Sequence, residues 1–92
     1  MTELGAAPMT TTTYYVALPF MQSEEDGQIV AGEPKEARSS DQAIRMASVM
    51  AAATGNCGAI AFSRTGDPSI GDFEDAKVLK TFGDVDTGLL GG

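Results

Sequence analysis

The sequence predicts an α+β domain: one helix packed on a mainly antiparallel sheet, two layers deep, in the order β-β-α-β-β. Three observations lead there. Residues 13–21 alternate in apolar character with a period of two. Ser39 to Thr54 joins a helix start signal to a single apolar stripe. Gly58 to Phe82 is a pair of apolar segments around a loop dense in turn formers. Ninety-two residues suit one domain. The expected layout is a disordered leader over 1–12, the domain over 13–83 and a flexible tail over 84–92.

The leader is small, polar and threonine-rich, and Met9 offers a second start. In the first strand, Thr13 to Met21, Tyr14, Val16, Leu18 and Phe20 alternate with Thr13, Tyr15, Ala17 and Pro19. Pro19 cannot donate to a ladder, which places it at a strand end or an edge. Ser23 to Gly27 reads as a turn, and Gln28 to Ala31 as the second strand of a hairpin. Gly32-Glu33-Pro34 breaks it, with extended chain resuming over Lys35 to Arg38.

Ser39 as N-cap places Gln42 at the third helical position, the spacing of a capping box. The helix is expected to reach Thr54, with Gly55 as its left-handed terminator. Ala43, Met46, Ala47, Met50 and Thr54 share one face; Asp41, Arg45, Ser48 and Ala52 share the other. Asp41 and Arg45 have the spacing of an ion pair. The buried stripe is expected to lie on Val16, Leu18, Ile60 and Phe62. Gly58 to Arg64 is the third strand, Thr65 to Gly71 a loop, and residues 73–82 a fourth strand.

Composition excludes several classes of function. Six basic residues against 13 acidic ones give a net charge of -7. Binding to nucleic acid or to an anionic membrane needs the opposite balance. With no histidine and one cysteine, Cys57, the chain has no Ser-His-Asp or Cys-His catalytic set, no usual zinc or haem ligand set and no intrachain disulfide. No metal or cofactor is expected. A single thiol and no signal-peptide pattern suit a cytoplasmic protein. Cys57 follows the C-terminal end of the helix, the wrong pole for lowering a thiol pKa.

Ser63 to Pro68 is the most pointed polar run. Arg64, at a strand end, suits a carboxylate or phosphate, but the density of turn formers favours the plainer reading, a hairpin loop in which Gly66 and Asp67 form the turn and Arg64 pairs with an acid. One of Tyr14 and Tyr15 must face away from the helix, so Arg64, Asp67 and Tyr15 are the candidate binding residues. The carboxylates at 24–26 and 72–75, and the run Asp84 to Gly88 that echoes part of a calcium loop, read as solvated turn acids.

From Tyr14 to Phe82 the chain resembles a group of short bacterial proteins of unknown function. The resemblance rests on Tyr15 to Phe20, Ala59 to Pro68, Gly71-Asp72-Phe73 and Phe82-Gly83. It implies a small stand-alone cytoplasmic protein. The element order, followed by Gly91-Gly92, is also similar to the β-grasp sulfur carriers and ubiquitin-like modifiers. That likeness implies a terminal carboxylate on Gly92 that is adenylated and then carries sulfur or forms an amide. The expected function is a non-enzymatic protein-interaction module, binding a partner or a second copy of itself. A carrier acting through Gly91 and Gly92 is the alternative.

Overall fold

The computed structural model describes residues 11–86 and Gly88. The leader as far as residue 10, and Gly91 and Gly92, lie outside the described residues. The elements are β1 (Thr12–Gln22), β2 (Ile29–Ala31), β3 (Lys35–Ala37), α1 (Ser40–Ala52), β4 (Gly58–Asp67), β5 (Asp72–Phe73) and β6 (Lys77–Gly83). One helix packs on a six-strand antiparallel sheet that curls into a half-barrel. The β-β-α-β-β frame gains two short strands, β3 and β5.

β1 and β4 form the long central ladder, from Thr12 opposite Gly66 to Phe20 opposite Gly58. β1 thus starts at Thr12, within the span expected to be leader. β2 and β3 lie end to end along the far side of β1. They are separated at Gly32, whose N–H donates to the Pro19 carbonyl at 2.8 Å. Along β4 the same arrangement repeats with β5 and β6. The sheet is therefore four strand positions wide. β4 runs to Asp67, three residues past its expected end. Gly66 allows that: a Cβ there would collide with the Asp72 carbonyl and the Phe73 backbone. The strand expected over 73–82 is interrupted before Lys77, with one register shift opposite Ala61/Phe62.

α1 begins as its sequence directs. The Ser39 Oγ accepts from the Gln42 N–H at 3.1 Å, and the Gln42 Oε1 accepts from the Arg38 N–H at 2.6 Å. The reciprocal bond thus reaches one residue further back than in the standard capping box. The helix stops at Ala52, with Ala53 as an extended C-cap. The Asn56 Nδ2 then donates to the Met50 carbonyl at 2.8 Å. Gly55 is left-handed, at φ 94°, but two residues beyond the cap.

The helix buries the stripe expected of it, with Ala43 and Ala47 fully enclosed. The strand face beneath it is the opposite of the expected one. α1 lies on Ala17, Ala59 and Ala61, flanked by Tyr15, Ala37, Leu79 and Phe82. Val16, Leu18, Ile60 and Phe62 belong to the other face. Alanine on alanine lets the helix approach the sheet closely, a contact that bulky side chains on both layers would prevent.

The second face has its own cluster, Leu18, Phe20 and Ile60, with Ile29, Cys57, Phe62 and Val85 against it. No helix covers it. The chain leaving β6 does so at one end. A Cβ on Gly58 would strike the backbone of Asp84 and Phe82, so this segment crosses directly over Gly58. Gly83, at φ 67°, makes the bend, and the Asp84 N–H donates to the Cys57 carbonyl at 3.0 Å. Replacing Gly58 with alanine is expected to push that crossing off the sheet and cost about 1–3 kcal/mol, the usual range for overpacking. Urea denaturation followed by circular dichroism measures the loss.

Candidate functional site

The described residues leave the opposite end of the same face open. There Tyr14 and Val16 of β1, Phe62 and Arg64 of β4, Phe73 of β5 and Pro34 ahead of β3 line an apolar groove of about 370 Å³. The central strands supply its floor. Register places Tyr14 opposite Arg64 and Val16 opposite Phe62, so all four project from one face. Pro34 and Phe73 stand on the two flanks. The Phe73 ring lies 5.9 Å from that of Tyr14, tilted by 46°. The geometry suits an apolar body of small-ligand size or a partner's side chains.

Among the described residues Arg64 is the only charged side chain in the lining. Its Nε donates to the Glu74 carbonyl at 3.3 Å, its one hydrogen bond among the described residues. That bond fixes the stem of the guanidinium and leaves the two terminal nitrogens to face solvent or a ligand.

The other two candidate residues are elsewhere. Tyr15 is half-buried among the alanines on the helix side, so Tyr14 is the tyrosine on the open face. Asp67 is occupied within its own turn: its Oδ1 accepts from the Ser69 N–H at 2.9 Å and the Ser69 Oγ at 2.6 Å. A second cavity, of about 450 Å³, lies beside this hairpin tip, between Asp67, Ile70, Asp72 and Phe73. Among the described residues no three carboxylate or thiol groups converge there or elsewhere. Other turn acids serve their turns. The Asp26 Oδ1 accepts from the Gln28 N–H at 3.0 Å, and the Asp86 Oδ1 accepts from the Gly88 N–H at 3.1 Å. Cys57 is half-buried, with its Sγ 3.7 Å from the Asp84 carbonyl oxygen.

Sequence reasoning picked out Arg64 but missed its surroundings. Pro34 and Phe73 lie 30 and nine positions away from it in the chain, and nothing local links the three. The available signal was strand parity: Tyr14, Val16 and Phe62 share a face once β1 and β4 pair through Phe20 and Gly58.

No protein-family model, no curated protein and no solved structure matches the chain. Among the described residues no helix is long and apolar enough to cross a membrane.

Proposed function

We propose that the chain is a non-enzymatic protein-interaction module that pairs with a second copy of itself through the uncovered side of its sheet. The observation that supports this is the open face, where Tyr14, Val16, Phe62 and Val78 lie together with no helix above them among the described residues. A contiguous apolar surface of this kind favours a protein contact. Strand direction supports the same reading. Every neighbouring pair is antiparallel across four positions, so the two outer edges run in opposite directions. A two-fold axis along the strands then sets the β6 edge of one copy antiparallel to the β2–β3 edge of the other. Both edges are satisfied, and the two open faces close on each other as halves of one barrel. Eight strand positions enclose an interior that side chains can fill.

Sedimentation velocity tests the reading. The wild-type chain is expected to form a dimer at micromolar concentration. Added salt should tighten it, because each copy carries a net charge of -7 and screening relieves their repulsion. Val78→Glu, at an open-face position 43% exposed in the single chain, should yield folded monomers whose melting temperature no longer rises with protein concentration. Val49→Glu, on the far side of the helix and 71% exposed, should leave the dimer intact. A strict monomer up to millimolar concentration overturns the proposal.

A further inference from the structure

We infer that the groove beside Arg64 is a binding site for a small amphipathic monocarboxylate, an aromatic or short alkyl body ending in one carboxyl group. This goes beyond the interaction reading and does not rest on it: a single chain forms the groove, and because a second copy closed over this face would cover it, ligand and second copy compete for one surface. Three features of the lining carry the inference. Its volume of about 370 Å³ falls in the range of small-ligand sites, roughly 300–1,000 Å³. Five of its six residues are Tyr14, Val16, Pro34, Phe62 and Phe73, which offer a ligand aromatic faces and aliphatic walls. The sixth is a cation in a chain where acids outnumber bases by 13 to 6, and among the described residues no acid lines the groove.

Arg64 is placed to use that charge. It stands opposite Tyr14 at one end of the groove, and its Nε is already held by the Glu74 carbonyl. The remaining two nitrogens form the planar fork that matches the two oxygens of a carboxylate. A phosphate monoester offers the same oxygens but brings close to two negative charges into the field of a chain at -7, so a single charge is preferred. The apolar part then replaces water over Phe62 and Val16, where a fully solvated anion would gain nothing.

The test uses 3-phenylpropanoate and its neutral isostere 3-phenylpropanamide as probes, titrated into the ¹⁵N-labelled chain held monomeric, by dilution or by Val78→Glu, as sedimentation verifies, and followed by heteronuclear NMR. The propanoate is expected to shift the amide resonances of Val16, Phe62, Arg64 and Phe73. It should bind at least about tenfold more tightly than the propanamide, the size of one charge-assisted hydrogen-bond pair. Arg64→Gln should reduce the propanoate to the affinity of the propanamide, with the melting temperature unchanged because the side chain is exposed. Equal affinity of the two probes for the wild-type chain overturns the inference. So does the absence of saturable shifts, or shifts confined to residues outside the groove. Sedimentation of the wild-type chain without ligand reads self-association separately, so a strict monomer that binds the propanoate refutes the dimer alone.

Discussion

Replacing Ala47 with lysine is expected to cost about 3–5 kcal/mol, the range for an uncompensated buried charge. Domains of this size are stable by only about 5–15 kcal/mol, so the variant should be largely unfolded at modest urea concentration. Ala47 is completely buried on the helix stripe that meets Ala17, Ala59 and Ala61. The contact is made of methyl groups on both layers. Met46, Met50, Leu79 and Phe82 border the cluster, but no carboxylate belongs to it to pair with the ammonium. Val49→Lys, two residues along the same helix but 71% exposed, is the control and should change stability by less than about 0.5 kcal/mol. Urea titrations of the two variants beside the parent decide it. If the Ala47 variant unfolds with the midpoint of the Val49 variant, the buried stripe is not where the structure puts it.

The helix itself was readable because its signals are local. Ser39 and Gln42 cap it, and Ala43, Met46, Ala47 and Met50 recur at helical spacing. Which sheet face it would cover was harder, because both faces of β1 carry apolar residues. Period two separates Tyr14, Val16, Leu18 and Phe20 from Tyr15, Ala17 and Pro19 but does not say which set meets the helix. Expecting bulky side chains under the helix gave the reverse of what forms. A usable signal was present. Ala17, Ala59 and Ala61 sit at one parity, and they match a helix stripe that is itself alanine-rich. Small residues on both partners mark close approach. β3 and β5 were difficult for another reason: two or three residues carry no periodicity, and only pairing with the neighbouring long strand defines them. Arg64 stood out in sequence as a base among acids. Its groove did not, because its flanks, Pro34 and Phe73, are brought together only by the tertiary fold.

Phe20→Ala is expected to cost a further distinct loss, about 3–5 kcal/mol, as for other fully enclosed aromatic residues. Phe20 is 0% exposed although it faces away from the helix. Its cover comes from the crossing of the chain after β6, which brings Val85 onto the cluster of Leu18, Phe20 and Ile60. Phe20 also ends the β1–β4 ladder, where its carbonyl accepts from the Cys57 N–H at 2.8 Å. Removing the ring therefore empties the space beneath the crossing and leaves the crossing itself with less to rest on. The effect should be local before it is global. Hydrogen exchange at Asp84, whose N–H donates to the Cys57 carbonyl, should accelerate in this variant under conditions where the amides of α1 remain protected. Val78→Ala, on the uncovered part of the same face, should cost under about 1 kcal/mol and leave Asp84 exchange unchanged. Equal stability losses in the two variants would mean that the two ends of this face are equally open, contrary to the division into a covered core and an exposed groove on which the docking and ligand proposals rest.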